Sequence, residues 1–185
     1  LGENYDFIFD FGGKANLTCL KMLKSKYSCP FVLYLWDDFA HVKHGSSRAL
    51  HYDRVAIFNE EDATKQGFMY RPNFFVSEYQ YSGEEKTLDL FYKGTARDKK
   101  RAFVLEQLAK ELEGGYRVEL SLFAKGSYLR NMHRVTSRNF YAKYCNHQHL
   151  SVLELAGKYK SARVLLDIAY KVQVGLGLRP LEALA

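Results

Sequence analysis

Cysteine and proline are both scarce in this chain, at three residues each. Cys19, Cys29 and Cys145 are odd in number, lie far apart and form no C-x-x-C pair. That pattern argues against a disulfide framework or a cysteine-based zinc site and suits a reducing compartment. No stretch approaches the roughly 18 to 20 uninterrupted apolar residues that a membrane-spanning helix needs. Neither a G-x-G-x-x-G turn nor a Walker lysine motif is present, and there is no short repeat or low-complexity tract. The opening residues, Leu1-Gly-Glu-Asn-Tyr-Asp6, have no initiator Met and none of a signal peptide's basic and apolar regions, so they read as an internal or processed start.

What is present describes a globular chain. The 185 residues are 47% hydrophobic, enough to bury a core in one large domain or two modest ones. Fourteen Tyr and 13 Phe supply nearly all of the aromatic content, beside a single Trp. A formal charge of +6 favours anionic partners: nucleotide phosphates, nucleic acid or an anionic membrane face.

Along the chain, strand and helix signals alternate. Tyr5 to Phe11 is β-prone and closes on Gly12 and Gly13; Leu17, Leu20, Met22 and Leu23 then recur at helical spacing, and Phe31 to Trp36 is a nearly continuous apolar run typical of a strand covered on both faces. This β-α-β opening predicts parallel strands with ligands beyond their carboxyl ends, beside Asp37 and Asp38. Residues 40–50 are polar and irregular and predict an exposed loop. Asp53 to Phe58 is a further strand, followed by a short helix capped within Asn59 to Asp62 and stopped by Gly67. The charged, Gly-containing bridge Ser82 to Thr87 marks a domain boundary, dividing the chain into residues 1–83 and 84–185.

The second half repeats the rhythm. Leu88 to Tyr92 reads as a strand, Gly94-Thr95 as a turn, Lys100 to Leu112 as a helix ended by Gly114 and Gly115, and Tyr116 to Phe123 as a strand. After a basic and aromatic segment, Gly126 to His149, Ser151 caps a helix to about Tyr159, and Ala162 to Ile168 forms the last strand. The fold class expected is α/β, with two parallel sheets and a cleft between them.

Several constellations bear chemistry. In Lys171 to Ala185, Gly175 and Gly177 form a turn, Pro180 suits a first helical position and Leu181 to Ala185 are good helix formers. Strand, loop and helix start together favour phosphate, with Arg179 as a bidentate donor and Glu182 within reach of a ribose hydroxyl; an ordinary α/β turn has the same spacing. Phe91 to Arg97 offers Gly94 for close backbone approach to a diphosphate, with Thr95, Arg97 or Arg101 as donors, and equally fits a plain turn. Asp37 or Asp38 is placed to act as a general base or as a helix cap. The pairs His41/His44 and His147/His149 lack completing ligands, so no metal site is expected. Gly126 to His149 has a composition suited to single-stranded nucleic acid but no RNA-binding signature, and direct nucleic-acid binding is not expected.

Taken together, Val164-Leu-Leu-Asp-Ile168, Gln173-Val-Gly-Leu176 and Arg179-Pro-Leu-Glu-Ala-Leu184 resemble the nucleotide-sugar half of GT-B-type glycosyltransferases from bacterial lipopolysaccharide and capsular polysaccharide pathways. Leu33 to Asp37, Asp53 to Phe58, and Phe91 to Thr95 with Arg101 resemble the same family in the same order.

The resemblance implies two Rossmann-like halves: the end of an acceptor-binding domain, then the start of a domain that binds a UDP- or GDP-sugar. It implies transfer of that sugar to a glycan or lipid-linked acceptor, without a metal or resident cofactor. It assigns nucleotide-sugar binding to Gly94, Thr95, Arg101, Gln173, Gly175, Leu176, Arg179 and Glu182, with Glu182 on the ribose and Arg179 on the diphosphate. Asp37 and Arg179 are the catalytic candidates. It further implies a bacterial, cytoplasmic protein, peripheral at the inner membrane. Such enzymes are about twice this length, so both halves are expected to be incomplete, and open sheet edges favour pairing with a second copy. The alternative from another class is a non-catalytic basic α/β module that binds nucleic acid or an acidic partner.

Overall fold

The computed structural model describes residues 4–42, 45–95, 99–123, 136–146, 149–168 and 177–185. The chain is α/β, and its residues group into two compact units: Leu1–Phe74 with Tyr170–Leu181, and Phe75–Ala169 with Glu182–Ala185. Each contains one parallel four-stranded sheet, giving two Rossmann-like halves.

In the first unit, β1 (Ile8–Phe11), β2 (Phe31–Leu35), β3 (Arg54–Ile57) and β4 (Met69–Tyr70) lie side by side in chain order, all parallel. Every crossover steps in the same direction, so right-handed connections place α1 (Leu17–Lys26), α2 (Gly45–Ala49) and α3 (Glu60–Gln66) on one face. Alternate strand residues Phe31, Leu33, Leu35, Val55 and Ile57 meet Leu20 and Ala63 of those helices in a buried core. The opposite face is aromatic, with the Phe11 ring against Tyr34, Trp36 and Phe74.

Local chemistry sets these boundaries. Asn16 caps α1 by accepting from the Thr18 amide at 2.8 Å. Asn59 caps α3 by accepting from the amides of Glu61 and Asp62, and Gly67 ends it at φ 69°, a left-handed conformation that glycine adopts without a Cβ clash. The expected loop over residues 40–50 is instead a 3-10 turn (Phe39–His41) and α2. Tertiary anchors override its polar composition: the Phe39 ring packs under Gly45, and buried Arg48 donates to the Gly13 carbonyl.

The second unit begins with a 3-10 turn (Ser77–Tyr79) and contains β5 (Leu88–Thr95), α4 (Lys99–Leu112), β6 (Val118–Phe123), α5 (Arg138–Tyr144), β7 (Cys145–Asn146), α6 (Val152–Ser161) and β8 (Ala162–Leu165). The closing helix α7 (Leu178–Leu184) is divided between the two groupings. The strand order is β7-β6-β5-β8, all parallel. Two crossovers step one way from β5; the third returns to its other side. Right-handed connections therefore put α4 and α5 on one face and α6 on the other. The cores agree: Tyr92, Leu120 and Leu122 pack with Leu105 and Phe140, whereas Phe91 and Ala162 pack with Ala156 and Tyr159. Between β5 and β8 the order reverses, and open α/β sheets bind ligands beyond the carboxyl ends of the strands at such a switch point.

Gly94 and Thr95, expected as a turn, are the last residues of β5. A Cβ on Gly94 would overlap the Tyr92 hydroxyl and stand 2.7 Å from its Cζ, so glycine makes room here for a buried tyrosine within the strand. The last strand ends at Leu165, earlier than the apolar run to Ile168 implies.

Candidate functional site

The carboxyl end of the second sheet brings several candidate residues together. Gly94 and Thr95 close β5, in register with Leu122 and Phe123 of β6. On the other side of β5, the Leu166 amide donates to the Phe91 carbonyl at 3.0 Å. Arg101 sits in the first turn of α4, only 3% exposed, and its Nη2 donates to the Ile168 carbonyl. The first turn of α4 is thereby fastened to the segment that follows β8. Its amides lack intrahelical acceptors, and Lys99, Lys100 and Arg101 add positive charge to the positive end of the helix dipole.

A lysine that sequence reasoning passed over belongs to this end of the sheet. Phe91, Lys93 and Thr95 share the α6 face of β5 and stand in register with Glu119, Ser121 and Phe123. The Lys93 Nζ donates to the Ser121 Oγ at 3.2 Å, and Ser121 is buried. Burial pushes the Lys93 ammonium below its ordinary value. Along the same face, His149 lies against the Phe123 ring with centroids 3.7 Å apart. The signal in the sequence was a lysine near the carboxyl end of an apolar strand.

Glu182 has different surroundings. It accepts a hydrogen bond from the buried Tyr79 hydroxyl; burial, then the nearby Glu182 charge and this bond, push the Tyr79 pKa up to about 12. Both residues line a cleft of about 560 Å³ with Lys86 and Lys160. Lys86 donates to the Lys160 carbonyl at 2.8 Å, and Lys160 pairs with Glu84 at 2.8 Å. Lys86 and Lys160 precede the amino ends of β5 and β8, whereas Gly94 and Thr95 are at the carboxyl end of β5; neither of the latter lines this cleft. Arg179 is partly buried in the first turn of α7. Gln173, Gly175, Leu176 and Arg97 lie outside the described residues, as does much of the basic segment from Gly126 to His149.

In the first unit, Asp37 is exposed and Asp38 is 6% exposed. Asp38 Oδ1 accepts from Asn59 Nδ2 at 2.9 Å, tying the end of β2 to the cap of α3. The two neighbouring carboxylates thus occupy different environments. Among the described residues there is no group of three His, Cys, Asp or Glu side chains able to hold a metal. No helix among them is long and apolar enough to cross a membrane.

No protein-family model matches the chain, and no curated protein does. Among solved structures, it is similar to a chain of the Glycosylation Associate Protein (Gap123) complex from Streptococcus agalactiae, at 15% identity and a TM-score of 0.41, over 90% of this chain and 38% of that one. It is also similar to a chain of accessory secretory protein 1, 2 and 3 from Streptococcus pneumoniae, at 12% identity and a TM-score of 0.44, over 98% of this chain and 39% of that one. The chain spans about two fifths of the length of these solved chains.

Proposed function

We propose that this chain has a role in glycosylation as part of a nucleotide-sugar-dependent glycosyltransferase, and that its second unit holds the donor's diphosphate at the carboxyl end of β5. One observation carries the reading: the strand order reverses between β5 and β8, and the basic first turn of α4 is fastened there through Arg101 and Ile168. Backbone amides at Thr95 and in the first turn of α4 suit phosphate oxygens, and Lys99 and Lys100 add charge. Arg101, through its bond to the Ile168 carbonyl, holds the first turn of α4 to the segment after β8.

The resemblance to GT-B enzymes supplies the remaining roles in the proposal. Gln173, Gly175, Leu176 and Arg179 serve the diphosphate in that reading, and Asp37, from its place after β2, accepts the proton of the acceptor hydroxyl; Glu182, held by Tyr79 in the cleft at the amino end of the sheet, takes no part in a site at the carboxyl end. In the transfer, the bond from the anomeric carbon to the phosphate oxygen breaks and one to the acceptor oxygen forms. Cationic groups and helix amides stabilise the charge developing on the departing nucleoside diphosphate. A UDP- or GDP-sugar is the donor, a glycan or lipid-linked molecule the acceptor, and net positive charge favours an anionic membrane surface.

Calorimetric titration with UDP and GDP tests the site. Lys100→Glu is expected to weaken binding about tenfold, the equivalent of about 1.4 kcal/mol, while Lys65→Glu on α3 leaves it unchanged. Equal losses in both variants would mean that general charge, not this end of the sheet, governs binding.

A second reading is a non-catalytic α/β binding module. Two observations favour it: Asp38 is engaged by Asn59 and Glu182 by Tyr79, so two carboxylates suited to the transfer chemistry have structural partners. Donor binding without hydrolysis or transfer, or oligonucleotide binding with a steep salt dependence and no response to nucleotide sugars, would favour the module.

A further inference from the structure

Lys93 stands where a parallel sheet rarely places a charge. It follows the fully buried Phe91 and Tyr92 on β5, and among the described residues its ammonium meets only the Ser121 hydroxyl. Two acids along this face have other cations. Glu119, one rung towards the amino end, pairs with Lys158 at 2.6 Å. Asp89 pairs with Arg117 at 3.6 Å and with Arg163 at 3.4 Å. A partly buried ammonium with a neutral partner destabilises the unliganded fold, and an anionic ligand removes that cost. Arg101, the other basic side chain turned inward at this end, donates its Nη2 to the Ile168 carbonyl.

We infer that Lys93 is a phosphate-binding residue: its ammonium, oriented by Ser121, takes a phosphate oxygen of a ligand seated at the carboxyl ends of β5 and β6. The inference rests on the nucleotide-diphosphate reading for its ligand, but its chemistry requires only a phosphate. Thr95, on the same face of the same strand, offers a hydroxyl beside that position. His149 against Phe123 borders it along β6. Ser121 acts as a positioning residue through Lys93.

Calorimetry on the whole chain with UDP, inorganic pyrophosphate and uridine tests this, using the wild type, Lys93→Met and Lys93→Arg. Lys93→Met is expected to bind UDP and pyrophosphate about tenfold more weakly or worse, with a melting temperature equal to or above that of the wild type; Lys93→Arg keeps most of the affinity. UDP binding unaltered in Lys93→Met overturns the assignment of Lys93 and leaves the nucleotide reading standing. Pyrophosphate binding that depends on Lys93, in a wild type that ignores UDP, supports the anion site and overturns the nucleotide reading. No binding of either anion by the wild type overturns both. A clear fall in the melting temperature of Lys93→Met without ligand also overturns the inference, because the ammonium would then be stabilised by the fold itself.

Discussion

Arg101 of α4 donates its Nη2 to the main-chain carbonyl of Ile168, joining the first turn of one helix to the segment after a strand on the far side of β5. Arg101→Ala would leave that carbonyl without its donor and open space in the packed interior. Loss of about 2 to 4 kcal/mol of stability is expected, read from urea unfolding of the variant against the wild type. Wild-type stability in Arg101→Ala would show that the two segments are held by other contacts.

Gly94 and Tyr92 make the tightest steric pairing on β5. A methyl group at position 94 must displace a fully buried ring, so Gly94→Ala is expected to cost about 1 to 3 kcal/mol. Tyr92→Phe removes the hydroxyl but leaves Cζ close, so it should relieve only part of the clash. A double-mutant cycle by denaturant unfolding measures this; strictly additive losses would contradict the proposed overlap.

Burial of Tyr79, with the Glu182 carboxylate beside it, makes stability depend on alkaline pH. The folded state holds the Tyr79 proton up to about 12, against an ordinary value of 10.0. Between those values the unfolded chain has released a proton that the folded chain keeps. Stability from this group is therefore complete below pH 10.0 and falls as pH rises towards about 12. Glu182→Gln removes the carboxylate charge and should bring Tyr79 back towards its ordinary value. Ring-carbon NMR of labelled tyrosine, assigned with Tyr79→Phe, reads the shift; an unmoved titration would mean burial alone sets it.

Asn59 is the junction of the first unit's carboxyl end, capping α3 and donating to Asp38. Asn59→Ala should lower stability by about 1 to 2 kcal/mol. Hydrogen exchange is expected to quicken first in Glu61 and Asp62, whose amides the Asn59 side chain accepts. Uniform quickening across the unit would argue against a local cap.

The alternation of strands and helices was legible because it depends on local pattern. Phe31 to Leu35 is apolar throughout, and Asn59 and Gly67 bracket α3 with standard cap chemistry. Pro180 falls two residues after the start of α7, still within the first turn, where a missing N–H costs no intrahelical bond. Less legible was everything decided by distant partners. α2 has a loop-like Gly-Ser-Ser composition and is held by Phe39 and by the bond from Arg48 to Gly13. Tyr79 gave no sign that it would meet Glu182, and Arg101 none that its donor would be used by Ile168.

The candidate site was legible in part for the same reason. Gly94, Thr95 and Arg101 were singled out by their place after a strand and at a helix start, and all three are at the carboxyl end of β5 or the adjoining turn of α4. The conformations expected of them differed, because Tyr92 decides Gly94 and Ile168 decides Arg101. Lys93 escaped notice because a lone lysine in a strand reads as a solvated charge. Its partial burial emerges only when β6 supplies Ser121 beside it.

Titration of the whole chain with UDP is the decisive measurement for the proposal that the carboxyl end of the second sheet binds the diphosphate of a nucleotide. Saturable binding, weakened about tenfold by Lys100→Glu and unaffected by Lys65→Glu, is the predicted result. Absence of binding by the wild type, or binding that both variants weaken equally, would contradict it.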